Sequence, residues 1–327
     1  MINTGTQIKT IASKEIHDAI QAHLLTLLTL FLVLAALTSL TVSAFAMHAE
    51  FVSYNESRDL LISLGKSASS LVPPAFFPLK LLRGFIEHIE IIGAVLGIVL
   101  GYRSAAIERG HATLALILTR PLSQFTFLLG KLAGNTALIA TALAITFTVG
   151  GLALAAITGV GLSATDVMRI VLVYASACFY VTSFFLLGFI LALTIRRLPT
   201  ALLVAFSIWL MLVLIAPQIG DTMDPDNQVA GGVFKKLEIA KPLELQILGT
   251  FKSYETIRDA IEEASPAKHF ERFSFAILGI KDIFNGQPIL DIMKDRMANI
   301  WSMLGIFAAL LGLLFFRPLN ITRLIKE

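Results

Sequence analysis

The sequence predicts an all-α membrane protein with six transmembrane helices, and three observations carry that prediction. Of 327 residues, 56% are hydrophobic and only 15% charged, with a mean hydropathy of +0.79, which leaves too little polar surface to cover a soluble globule. A window of about 20 residues, the length needed to cross a bilayer as a helix, finds six apolar runs. Lys and Arg then alternate in abundance from one loop to the next, as six spans with both termini on the cytoplasmic side require.

The elements follow in order. Near the start of the chain, QIKTIASKEIHDAI from Gln7 to Ile20 places Ile8, Ile11, Ala12, Ile16, Ala19 and Ile20 on one helical face and Lys9, Lys14, His17 and Asp18 mostly elsewhere. Two readings fit residues 1–23: a helix lying in the inner membrane interface, or a cytoplasmic extension of the first span. The spans are expected at Leu24 to Met47, Arg83 to Tyr102, Leu132 to Ile157, Arg169 to Ile195, Leu198 to Pro217 and Asn299 to Phe316. Lys9 and Lys14 precede the first. Arg103, Arg109, Arg120 and Lys131 follow the second, Arg196 and Arg197 the fourth, and Arg317, Arg323 and Lys326 the sixth. All of these share one side, so the chain reads as a multi-pass protein of the plasma (inner) membrane.

Two segments are expected on the outer side. Ala49 to Leu82 contains VPPAFFP, a turn and interfacial anchor, and the formal sequon Asn55-Glu56-Ser57. Residues 218–298 read as a helical subdomain between the last two spans. There Ile247, Phe251, Tyr254, Ile257 and Ile261 recur at helical spacing, Ser265 and Pro266 form a helix start, Phe270, Phe273 and Ile277 share a face, and Asn285 opens a turn. This subdomain packs on the bundle, and it is also a candidate docking surface for an extracytoplasmic partner.

Several functions are excluded or disfavoured. With a net charge of +3 and no basic block, nothing points to nucleic acid. The lone Cys178 supplies neither a disulfide nor a cysteine metal site. There is no H-E-x-x-H, no G-x-S-x-G and no complete P-loop, since Gly130-Lys131 is followed by Leu132. The chain is therefore not an enzyme by itself and binds no cofactor of its own. Ionisable groups, which mark ion paths and proton relays in lipid, are missing from the span interiors except in GFIEHIEIIGAV. There Glu87 and Glu90 share a face beside His88. These three line an outer gate or substrate path, with Met47 and His48 as additional soft ligands, or they are simply solvated at the headgroup level; no metal set is assigned.

The stretch ERGHATLALILTRPLSQFTFLLGK, Glu108 to Lys131, interrupts the apolar pattern between the second and third spans. Ala105 to Leu118 can form a helix along the membrane, with Glu108, Arg109 and His111 toward water and Ile107, Leu114, Ile117 and Leu118 toward lipid or the bundle. Pro121 disfavours helical geometry at Arg120 and ends it. From physics alone this is an amphipathic connector or a handle for a cytoplasmic partner.

The run Glu108, Thr113-Leu114, Leu116-Ile117-Leu118-Thr119, Pro121-Leu122 and Leu128-Leu129-Gly130-Lys131 resembles the signature of ABC-2 type export permeases, E-x-x-x-G-T-L-x-x-L-L-[ST]-x-P-[IVL] followed by L-x-G-K. It is similar in appearance to the branch containing the permease of the nitrous-oxide reductase maturation system. IASKEIHDAI likewise resembles the I-x-x-K-E-[LI] start of that family. The chain departs from the pattern in having His111-Ala112 before Thr113, with Gly110 earlier. The resemblance implies a single transmembrane domain over 1–327 with a coupling helix near 105–120, paired with a second permease, a copy of itself or a paralogue. It also implies cytoplasmic ABC ATPase subunits that hold the ATP and Mg. Glu108, Arg109 and His111 are then the expected ATPase contacts, with Thr113 capping locally and Lys14 and Glu15 bracing the same partner. The substrate path is expected along the second and fifth spans. A membrane scaffold that binds a partner through the outer subdomain without transport explains the same loops.

Overall fold

A computed structural model describes residues 4–65, 77–110, 123–223 and 252–316, together with Leu237 and Leu243. Its regular structure is helical throughout, and six helices are long and apolar enough to cross a membrane. Helix α1 (Thr4–Gln21) is followed by α2 (Leu24–Ser63), the first span. The second span is built from a 3-10 turn (Pro78–Leu82), α3 (Arg83–His88), a π-helical segment (Ile89–Gly93) and α4 (Ala94–Gly110). The third and fourth are α5 (Gln124–Thr158) and α6 (Ala164–Thr194). The fifth joins α7 (Leu198–Trp209), a second π segment (Leu210–Ile215) and α8 (Ala216–Met223). Then come α9 (Lys252–Glu263), α10 (Pro266–Ile277), α11 (Ile289–Asp295) and the sixth span, α12 (Met297–Phe316).

At the N-terminus the first two helices are separate. His23 takes a left-handed conformation (φ 54°) and separates α1 from α2, so α1 is a helix of its own. It packs along α5 largely through the expected face: Ala19 is buried and Ile8, Ile11, Ala12 and Ile16 are half-buried, while Glu15 joins them in the interior and Ile20 is 54% exposed. The first span also runs well past the expected end at Met47. Nothing in MHAEFVSYNESRDLLIS breaks a helix, and α2 stops only at Ser63, just before Gly65 with φ 68°. Asn55 accordingly lies on an exposed helical surface.

Leu27, Leu30, Phe31, Leu34, Val42 and Phe45 on α2 stay exposed, which is the lipid face of a spanning helix. The core lies between the second and fourth spans. Gly93, Gly97 and Gly101 form a G-x-x-x-G-x-x-x-G stripe on the second span, and small residues at this spacing let helix backbones approach closely. A Cβ at Gly101 would sit 2.1 Å from the carbonyl oxygen of Phe185, and one at Gly97 2.4 Å from that of Val181.

In the outer segment, α10 is inserted into the bundle. Ser265 caps it by accepting from the Lys268 amide, with Pro266 at the first position as expected. Its far end closes as a Schellman turn, Gly279 at φ 67° and Ile280 N–H bonded to Phe275 O. Phe270 is fully buried and stacks on Tyr180 of α6, ring centroids 4.8 Å apart. Arg169, at the outer start of α6, clamps this end by donating to Ile277 O (2.6 Å) and Gln287 O (2.7 Å). Of the helical pattern expected further upstream, Ile247 and Phe251 lie outside the described residues, and Ile257 is exposed on α9.

Candidate functional site

Two polar sites stand at opposite ends of the second span. Glu90 and Glu108 are 18 residues apart, about 27 Å along a helix at 1.5 Å per residue, close to the thickness of a hydrocarbon core. The stretch between Glu90 and Arg103 contains no Asp, Glu, His, Lys or Arg.

The inner site is a buried ion cluster. Lys131, 1% exposed, donates to Glu15 Oε1 (2.6 Å), Glu108 Oε1 (2.8 Å) and the Ser104 carbonyl (3.1 Å). All three protons of its ammonium are thereby satisfied. Glu15 Oε2 accepts from Ser104 Oγ (2.8 Å) and Asn135 Nδ2 (3.0 Å). Lys14 reaches in from the surface to Glu108 Oε1 at 2.9 Å. Two carboxylates face two ammonium groups, so the cluster is neutral as a whole, the condition under which buried charge is tolerable. Burial works against the Lys14 ammonium, but its hydrogen bond to Glu108 and the charges of Glu108, Glu15 and Asp18 outweigh that and hold its pKa above the usual lysine value.

Glycines make the cluster reachable. A Cβ at Gly130 would meet Ile11 at 2.7 Å, and one at Gly134 would meet the Ala12 carbonyl and the Glu15 Cβ at 2.9 Å. Helix α1 thus lies flush on α5, and Arg103 fixes its last turn by donating to the Asp18 carbonyl (2.9 Å).

This corrects the expected exposure of two residues. Glu108 was expected in water as part of a helix starting at Ala105; instead residues 105–110 continue α4, and Glu108 is 2% exposed. Glu15, expected to brace a partner, is buried in the same cluster. Both changes have one cause: Lys131, 23 residues from Glu108, supplies the charge that lets them leave water. Arg109 is likewise engaged. Its guanidinium donates to the carbonyls of Ala192, in the last turn of α6, and of Ile195 and Arg196 just beyond it, capping that helix end. Lys14 stays half exposed. His111, Thr113 and Pro121 lie outside the described residues.

The outer site is a cavity of about 650 Å³ between the second span, the fifth span and α10. Glu87 and Glu90 line it, with Arg83, Lys268 and Glu271. Arg83 pairs with Glu87 (3.0 Å) and Lys268 with Glu271 (2.9 Å). His88 does not join them; its Nδ1 meets the Gly84 carbonyl of its own helix. Met47 packs against the apolar core, His48 is exposed, and among the described residues no three His, Cys, Asp or Glu gather in a metal-holding group.

Both π segments border this cavity, through Glu90 and Ile91 on one side and Val213 and Leu214 on the other. Where a helix widens to π geometry, its regular hydrogen-bond ladder is interrupted, a feature frequent at functional sites. Here hydroxyls from other elements reach carbonyls in those segments. Tyr180 donates to Glu90 O (2.8 Å), and Ser265 donates to Leu212 O (2.5 Å). Sequence reasoning reached Glu87 and Glu90 but missed Lys268 and Glu271, which α10 brings in from far along the chain.

Comparison with known proteins adds one match. The family model described as ABC-2 family transporter protein covers residues 9–317, from within α1 to the end of the sixth span. No curated protein matches the chain.

Proposed function

The chain belongs to the ABC-2 family of transporter proteins, and on that premise we propose that it is the permease subunit of an ATP-driven exporter. A separate cytoplasmic ABC ATPase, carrying the ATP and Mg, drives it, and a second permease, a copy or a paralogue, completes the pathway. The chain itself performs no chemistry. It sits in the plasma membrane with both termini and the inner ion cluster on the cytoplasmic side, in accord with the distribution of Lys and Arg.

One observation supports this reading above others. The separate segments that resemble the family signature, Lys14-Glu15, Glu108 and Lys131, meet in one buried cluster. That cluster ties α1, α4 and α5 together at the two ends of segment 111–122. A push on this segment is therefore delivered to the second and third spans and α1 as one body, the kind of rigid-body displacement that alternates between packings of a bundle. Glu108 and Arg109 act in this scheme as anchors of the coupling segment, while His111, with Thr113 beside it, meets the ATPase and Lys14 offers its exposed side. Substrate leaves past α9 to α11.

The test is capture. A photo-crosslinking residue at His111 or Thr113, introduced in native cells, is expected to trap an ATP-binding subunit. The same residue at exposed Leu152 of the third span is expected to trap none. If neither His111 nor Thr113 captures an ATPase, the energy source is lost and a membrane scaffold becomes the better account.

A further inference from the structure

In the π segment of the fifth span the Ala216 amide donates to Met211 O, five residues back, and so passes over the Leu212 carbonyl. The next amide in line would belong to Pro217, which has none. Neither of the two amides placed to reach Leu212 O therefore does so, in a span whose lipid and apolar neighbours offer no donor. Ser265 supplies one from the start of α10. Its side chain is fully buried, and its hydroxyl donates to Leu212 O at 2.5 Å while accepting from the Lys268 amide. One hydroxyl thus caps α10 and completes the hydrogen bonding of the fifth span.

The two long walls of the outer cavity are held differently. The second span is packed through Gly93, Gly97 and Gly101 onto the fourth, and the Tyr180 hydroxyl bonds its π segment to the same helix. The fifth span instead turns Leu203, Leu210, Met211, Ile215 and Ile219 outward. Past its π segment, α8 is held from the corner between α9 and α10. Ser265 bonds Leu212 O there, and Gly220 lies so close to Glu262 that a Cβ would come within 2.5 Å of that side chain.

We propose that Ser265 is a latch on a hinge in the fifth span. The π segment Leu210–Ile215 with Pro217 is the pivot on which α8 swings, and the Ser265 hydroxyl, standing in for the missing amide, holds α8 against the corner of α9 and α10. In the latched state Pro217, Gln218 and Thr222 stand close to the second span as the far wall of the cavity. Once the bond is broken, water entering the cavity beside Val213 and Leu214 takes over Leu212 O, and α8 carries that wall away from the second span. Unlatching exchanges one neutral hydrogen bond for another, so the hydroxyl biases the two states by only about twofold to tenfold, an amount that events elsewhere in the chain can tip. The inference deepens the export reading and rests on it for its meaning, since it names what regulates the outer site.

The test uses the purified permease, one copy per lipid nanodisc and without any ATPase, in a Cys178→Ser background. Spin labels at Ile219→Cys and Met168→Cys, both exposed, report the distance from α8 to the outer start of α6. Ser265→Ala is expected to raise the share of a second, longer distance by about twofold to tenfold over wild type. Pro217→Ala, which gives the span an amide of its own in this turn, is expected to return the Ser265→Ala variant to the wild-type distribution, although α10 remains without its cap. A second pair, Leu152→Cys with Met168→Cys, joins helices the hinge does not touch; it should read the same in every variant and reports that they are folded. A distribution between Ile219 and Met168 that ignores Ser265→Ala would overturn the proposal. So would a shift that Pro217→Ala leaves in place, since the hydroxyl would then act as a helix cap only. Because no ATPase is present, these outcomes leave the export reading untouched; conversely, the expected shifts with no captured ATPase would sink export and keep the latch.

Discussion

Replacing Lys131 by Met removes the central cation of the inner cluster while keeping an apolar stem of similar length. Its effect can be worked contact by contact. Glu108 Oε1 keeps Lys14 at 2.9 Å, and Glu15 Oε2 keeps Ser104 and Asn135. Glu15 Oε1 and the Ser104 carbonyl lose the ammonium altogether. Breaking one side of a buried ion pair costs about 3–5 kcal/mol because a bare charge is left behind. The molecule can limit that cost by letting α1 lift off α5, which returns Glu15 to water. The expected result is local undocking of α1, with amide protection across residues 4–21 falling by about a hundredfold or more, at about 1.4 kcal/mol per factor of ten. Hydrogen exchange read by mass spectrometry in nanodiscs measures this directly. The double variant Glu15→Gln with Lys131→Met has no bare carboxylate at this position and should recover part of the protection, a coupling of about 1–3 kcal/mol. If Lys131→Met leaves α1 as protected as wild type, the cluster does not hold the helix and the reasoning fails.

Other predictions follow from single contacts. Gly101→Ala drives a methyl group into the Phe185 carbonyl, so it should cost about 1–3 kcal/mol and lower the thermal midpoint; Gly161→Ala, with open space around it, should leave the midpoint unchanged. Arg169→Gln deprives Ile277 O and Gln287 O of a charged donor and should raise exchange selectively in the turn between α10 and α11, by about 1.5–3 kcal/mol per lost bond. His269 is held below its usual pKa, first by burial and then by Arg272, despite the bond to the Glu263 carbonyl. Its native state therefore binds fewer protons than the unfolded one, so stability rises with pH between the depressed folded pKa and about 6.5. Docking of α10 should loosen as pH falls below about 6.5, and His269→Gln should flatten that dependence in an exchange-versus-pH series.

The spans were legible because a bilayer imposes length and apolarity on each helix, so Leu132 to Ile157 and Asn299 to Phe316 stand out without tertiary information. Ends were less legible where hydropathy and helix geometry part company. Hydropathy drops at Met47, but the helix ends where Gly65 allows a left-handed turn. The inner site was half legible. Glu108, Lys131 and Lys14-Glu15 were noticed as landmarks, yet a charge far from its partner in sequence looks solvated, and Glu15 and Glu108 become buried only because Lys131 crosses to both. A usable signal lay beside them: Gly130 and Gly134, spaced like helix-contact residues, mark the track on which α1 lies. The Gly93, Gly97 and Gly101 stripe carried the same message for the second span. Neither π segment has a mark in the sequence, since Ile89–Gly93 and Leu210–Ile215 contain ordinary span residues. The hydroxyls that bond carbonyls inside them, those of Tyr180 and Ser265, come from elements distant in the chain.

The central claim is that nucleotide turnover on a partner is delivered through the inner cluster to the outer end of the bundle. The most direct measurement is a distance between spin labels at Gly161 of two copies, placed as Gly161→Cys in a Cys178→Ser background and reconstituted with the captured ATPase. The account predicts that trapping the ATPase after hydrolysis shifts this distance, and that Lys131→Met abolishes the shift while ATP hydrolysis continues. A distance that ignores nucleotide, or one that shifts equally with Lys131→Met, would contradict it.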